Sequence, residues 1–157
     1  MSETVLSLTS IKINGSANTQ EAAIAETNDL LLAAGAVTNG FLASMLDNEE
    51  SASTYLGNQV AAPRGSGAGD DAILTPALSV VRYSKPIDWN GEEVRLVVGI
   101  AEQTGSDLDL LSKVALLFGD GDVVDKLLHA PSDEAAFALL SGLNEDALNE
   151  DALNEDA

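Results

Sequence analysis

No cysteine occurs among the 157 residues, so disulfides and thiolate zinc sites are excluded. One histidine is present, His129, and a single imidazole cannot build a transition-metal site. No metal and no cofactor is expected. Aromatic residues make up only 4%, so a core must come mostly from Ala, Val, Leu and Ile, and a hydrophobic content of 45% supplies it. Long apolar runs are also missing. The longest, residues 30–37 and 96–101, fall far short of the roughly 20 residues that cross a bilayer. Membrane insertion is therefore not expected. Met1-Ser2-Glu3-Thr4 carries no basic segment ahead of an apolar run and does not read as a secretory signal, so the expected location is cytoplasmic. Positive charge is scarcest of all. Seven bases face 26 acids, a formal net charge of -19. Such a surface repels nucleic acid and anionic membranes. It points to a salt-adapted host, or to an ordinary acidic protein with an acidic tail. The apolar content argues against disorder.

The length suits one domain with one core. Residues 5–13 alternate in part and predict a short strand, broken at Asn14-Gly15-Ser16. A helix is predicted from Asn18 or Thr19 to Ala34, stopped by Gly35, with Ala23, Ile24, Thr27, Leu30, Leu31 and Ala34 on one face. A second follows Thr38 and turns Phe41, Leu42, Met45 and Leu46 inward. Tyr55 lies in a segment leading to a strand over 59–62. A glycine-rich loop, 63–69, comes next. Residues 77–83 predict a strand, 86–91 a turn holding Trp89, and 94–101 a strand buried on both faces. Helices are predicted over 108–118 and 122–128, and a last one is capped by Ser132. Strands alternating with helices make the class α/β with a mixed sheet. Residues 143–157 repeat Leu-Asn-Glu-Asp-Ala at a period of five and hold 6 of the 26 acids. That period does not keep leucines on one helix face, so 1–142 read as the domain and 143–157 as a solvated acidic tail.

One stretch is more specific. Glu49, Leu56, Gly57, Val60, Ala61, Pro63 and Gly65 match the spacing of a known signature: an acidic or amide residue, six residues, an apolar residue, a glycine, then Ala-apolar-Pro-His-Gly. The chain therefore resembles the mannitol/fructose-type enzyme IIA family of the sugar phosphotransferase system. The apolar segment 94–101 followed by 106–113, and the helices over 122–140, look like later parts of the same family. The resemblance implies a single α/β domain with a mixed central sheet flanked by helices on both faces, the mannitol-type enzyme IIA fold. It also implies a cytoplasmic relay. Such proteins accept a phosphoryl group from the phosphohistidine of HPr and pass it to enzyme IIB, in association with a membrane sugar transporter.

The relay needs a neutral nitrogen nucleophile that can leave again, and imidazole provides both. Here Arg64 stands at the phosphoacceptor position. Its guanidinium stays protonated and has no lone pair for attack. Asp107 lies where the family's second histidine is usually found, and Asn48 where many members place a phosphate-steadying arginine. Three changed polar positions imply a degenerate site acting as a binding or regulatory module, docking through Tyr55, Gly65 and Ser66 around Arg64. The alternative is a sugar-specific phosphocarrier inactivated by replacement of its acceptor, whether natural or made for study.

Arg64 itself has two readings. It is an anion clasp among glycines, or it pairs with Asp107, Asp70 or Asp71 or reaches into water. The run 65–69 is not a Walker loop, because no Gly-Lys-Ser/Thr follows. Asp107 and Asp109 stand two apart and do not converge on a helix. Asp70 and Asp71 read as loop solvation. His129 reads as a helix C-terminal cation or a surface residue. Trp89 closes an edge of the sheet or offers a partner contact.

Overall fold

The structure, a computed structural model, describes residues 5–65, 71–104 and 108–144. Five strands form one mixed sheet: β1 (Ile11–Lys12), β2 (Tyr55–Gly57), β3 (Val60–Ala61), β4 (Ala77–Trp89) and β5 (Glu92–Ala101). Their spatial order is β1-β4-β5-β3-β2. β1 runs parallel to β4, β4 antiparallel to β5, β3 parallel to β5, and β2 antiparallel to β3. Five helices cover the sheet: α1 (Gln20–Ala33), α2 (Phe41–Ser51), α3 (Leu110–Phe118), α4 (Gly121–Leu128) and α5 (Asp133–Leu140). Among the described residues no helix is long and apolar enough to cross a membrane.

Strand alternation divides the apolar residues between two faces. Leu78, Val80, Leu96, Val98 and Ile100 pack with Leu110, Val114 and Phe118 of α3, Val124 and Leu127 of α4, and Ala136 and Leu140 of α5. Ala77, Val81, Tyr83, Val97 and Ala101 pack with Ala23, Ile24 and Leu31 of α1 and Phe41 and Met45 of α2. Helices thus lie on both faces, the arrangement that lets a central strand be apolar throughout. Leu143 belongs to the first core and is buried.

The local signals for the helices hold. Thr19 accepts the Ala22 amide at 3.1 Å and starts α1. Gly35, with φ of 76°, ends it, and the Ala36 amide reaches back to the Leu31 carbonyl at 3.0 Å. Ser132 accepts the Ala135 amide at 3.0 Å and starts α5.

Two expectations need correction. The strand expected over 5–13 is only Ile11–Lys12, preceded by a 3-10 turn at Leu8–Ser10. Ser7 bonds locally, its hydroxyl to that of Thr9 and its carbonyl to the Ser10 amide, and so draws the backbone away from the ladder. The turn expected over 86–91 is only Asn90-Gly91. Both residues have positive φ, 56° and 97°, and Asp88 accepts the Gly91 amide at 2.9 Å, as a two-residue hairpin turn requires. β4 continues through Pro86 because the register shifts between Arg82 and Ile87, where a missing N–H is tolerated. Trp89 is consequently neither an edge cover nor a partner contact. It is fully buried in the second core.

One buried carboxylate ties the first third of the chain together. Glu26 of α1 is 8% exposed. It accepts from Lys12 Nζ at 2.7 Å, Tyr83 Oη at 2.8 Å, and the Ser16 and Ala17 amides at 3.1 Å. Burial alone would raise its pKa; Lys12, the two amides and Tyr83 outweigh burial and hold it at about 2, against an ordinary 4.5. Burial and the bond to Glu26 push the Tyr83 hydroxyl the other way, upward, so it remains a donor. Because the folded-state pKa is depressed, this stabilisation is complete above about pH 4.5. It is lost as pH falls toward 2, in total about 3 kcal/mol. Urea midpoints measured from pH 6 to pH 2 should therefore fall less steeply below pH 4.5 in Glu26→Gln than in the unaltered protein.

Candidate functional site

β3 lies parallel to β5, with Val60 opposite Leu96 and Ala61 opposite Val97. The chain stays beside β5 after β3 ends. Pro63 accepts the Ile100 amide at 3.0 Å, and Arg64 bridges to Ile100. Residue 64 therefore stands at the carboxyl end of two parallel strands, where open α/β sheets hold their ligands. Pro63 is buried, and Arg64 and Gly65 are half-buried.

Gly65 presses against α2. A Cβ added there would lie 2.7 Å from a Phe41 ring carbon and 2.8 Å from Ser44 Oγ. Phe41 is wholly buried and cannot retreat freely. The requirement for glycine here is thus one of close packing on α2. Asn48 lies one turn beyond Ser44 on the same helix face and is half-buried. Tyr55 is half-buried on β2, opposite Ala61 of β3. The fold thus gathers Arg64 and Gly65 with α2, and sets Tyr55 on the strand beside them. Asp107, Ser66 and Asp70 lie outside the described residues.

Arg64 differs from the other two arginines. Arg82 donates through Nη1 to the Leu127 and Ala130 carbonyls, both at 2.8 Å, and closes the end of α4. Arg95 donates to the Tyr83 carbonyl at 2.9 Å. The Arg64 guanidinium has no ion pair or hydrogen bond with any described residue, Asp71 included. It can bind an anion or a partner's carboxylate, and it cannot attack phosphorus.

Glu102 follows β5, two residues past Ile100. Its Oε1 accepts the Leu110 amide at 2.8 Å and caps α3 in place of Asp109, which takes a left-handed φ of 52° and makes no side-chain cap. Its Oε2 is buried without a hydrogen-bond partner among the described residues. Nothing in the spacing signals this cap, because donor and acceptor stand eight residues apart.

His129 is exposed at the end of α4. Its Nδ1 lies 2.8 Å from the Asp125 carbonyl and 3.6 Å from Asp125 Oδ1, as expected of a helix C-terminal surface residue. No group of three or more His, Asp or Glu that could hold a metal occurs among the described residues.

The family model described as "Phosphoenolpyruvate-dependent sugar phosphotransferase system, EIIA 2" matches residues 4–142. The mannitol-specific phosphotransferase enzyme IIA component of Halalkalibacterium halodurans is 37% identical over 145 residues, covering 92% of this chain and all of the relative. That of Staphylococcus aureus is 37% identical over 124 residues, 79% of this chain and 86% of the relative. The crystal structure of Escherichia coli mannitol IIA superposes with a TM-score of 0.78 at 28% identity, over 85% of this chain and 97% of that one. The enzyme IIA of the Escherichia coli complex with phosphorylated mannitol enzyme IIB gives 0.79 at 28% identity, over 87% and 99%.

The packing at Gly65 yields a direct expectation. Gly65→Ala should overfill the contact with Phe41 and Ser44 and destabilise the protein by about 1–3 kcal/mol, read as a lowered urea midpoint. An unchanged midpoint would show that the loop can leave α2 at no cost.

Proposed function

Because the chain belongs to the EIIA 2 family of the phosphoenolpyruvate-dependent sugar phosphotransferase system, we propose that it is a mannitol-type enzyme IIA-like module that docks its partners without carrying phosphate. The observation behind this reading is Arg64. It stands between Pro63 and Gly65 at the strand ends, unpaired among the described residues, where a relay needs a nucleophile. Asn48 and Asp107 add to it, since neither supplies a cation to steady phosphoryl oxygens. The partner face is centred on Arg64, Tyr55, Gly65 and Ser66. The partners in this reading are HPr and an enzyme IIB, on the cytoplasmic side of a membrane sugar transporter. A surface of net charge -19 makes such docking strongly salt-dependent. Residues 1–142 are read as the module and 143–157 as an acidic extension, with the exception that Leu143 packs into the first core. Burial of Leu143 sets the useful truncation point after Asn144.

A second reading has support in the scaffold. The Gly65 contact with α2 and the strand-end placement of residue 64 support it, since neither depends on which side chain stands at 64. Back-substitution separates the two. In the proposed reading, Arg64→His accepts phosphate from HPr roughly 10²-fold more slowly than the combination of Arg64→His, Asn48→Arg and Asp107→His, the scale of losing an electrostatic donor. Single-turnover transfer from phosphorylated HPr measures this. Equal rates in the single and triple variants would mean that only the acceptor has changed, and the degenerate-site reading would fall.

A further inference from the structure

We infer that Glu49 is a positioning residue for the Arg64 segment, acting through the hairpin of β2 and β3. Its carboxylate is 8% exposed, at the C-terminal end of α2. Oε1 accepts the Thr54 hydroxyl at 2.6 Å. Oε2 accepts the Thr54 amide at 2.8 Å, Trp89 Nε1 at 2.8 Å and Gln20 Nε2 at 3.4 Å. One side chain therefore joins α1, α2, the end of β4 and the start of β2.

The connection to residue 64 is short. The Thr54 carbonyl accepts the Ala62 amide at 3.0 Å. The next residue, Pro63, accepts the Ile100 amide at 3.0 Å, and Arg64 bridges to Ile100. Thr54 is thus gripped by Glu49 on its donor side and grips the strand leading to Arg64 on its acceptor side. Without the carboxylate, the Thr54 amide and the Trp89 indole would be buried donors with no acceptor, a strong incentive to move. Moving Thr54 shifts Ala62, two residues before Arg64. The same geometry tolerates an amide. With the amide oxygen at the Oε2 place, the Thr54 hydroxyl can turn and accept from the new NH2 group.

That Arg64 is the working position rests on the reading above. The test needs no phosphoryl donor, so the two can fail separately. Amide exchange and backbone chemical shifts are recorded for the whole protein as Glu49→Ala, Glu49→Gln and, as a control of comparable burial elsewhere, Glu26→Gln. In Glu49→Ala, exchange at Ala62 and Ile100 should rise about tenfold or more over that at Val80 and Val98, as local opening requires. The Arg64 and Gly65 amides should shift as well. Glu49→Gln should restore both readings to near the unaltered protein. Glu26→Gln should leave the shifts of Arg64 and Gly65 in place, and any faster exchange should be uniform. If Glu49→Ala does not fold, Thr54→Ala, which removes only the 2.6 Å bond, should move the same amides less and in the same direction. Changes confined to Thr54 and Trp89, or a uniform rise in exchange, would overturn the inference.

Discussion

The structure depends on a sheet that must be buried on both sides. β4 and β5 form its spine, and their alternating residues feed two separate cores, one under α1 and α2 and one under α3, α4 and α5. With so few aromatics, small and branched aliphatics must pack closely there. Gly99 illustrates how closely: a Cβ would lie 2.6 Å from Ser79 Oγ and 2.9 Å from Thr27. A sheet held this firmly makes the strand ends a rigid platform. The parallel pairing of β3 with β5 then delivers residue 64 to that platform.

Two buried acids and one half-buried acid do the remaining positioning. Glu26 fastens β1, α1 and β4; Glu49 fastens α2 to the β2–β3 and β4–β5 hairpins; Glu102 caps α3. Glu26 and Glu49 are satisfied largely by backbone N–H, hydroxyl or indole donors, so a chain with seven bases needs few of them inside. Arg82 and Arg95 are directed at carbonyls and Lys12 at Glu26. Arg64 is the arginine whose side chain makes no ion pair or hydrogen bond with a described residue. In the proposed reading that distribution leaves it as a docking cation, and a guanidinium has no lone pair with which to attack phosphorus.

Much of this was legible from residue order. Helix starts and stops at Thr19, Gly35 and Ser132 follow from side-chain chemistry acting within a few residues, and the structure keeps them. The nearly all-apolar 94–101 stretch declared a strand covered on both faces. The failures came where other contacts, distant or local, overrule the hydrophobic pattern. Pro86 suggested a turn, yet a register shift carries β4 past it and buries Trp89 against Glu49. Residues 5–13 alternated like a strand, yet local serine bonding broke the run. Glu49 was legible as part of a signature and Glu26 only as a residue within a predicted helix; their partners lie up to 57 residues away in sequence, beyond any periodicity. Gly65 was legible as part of a signature, while its contact with Phe41 was not.

The central claim is that this enzyme IIA scaffold does not accept phosphate. Intact-protein mass spectrometry tests it most directly. The unaltered protein would be incubated with phosphoenolpyruvate, enzyme I and HPr at low and high salt, then held at alkaline pH beside a competent family member. No mass gain is predicted under either condition, while the competent member gains one phosphoryl group. A phosphoryl gain on this protein would contradict the account. It would place the acceptor at a residue other than Arg64, with His129 the first to be mapped.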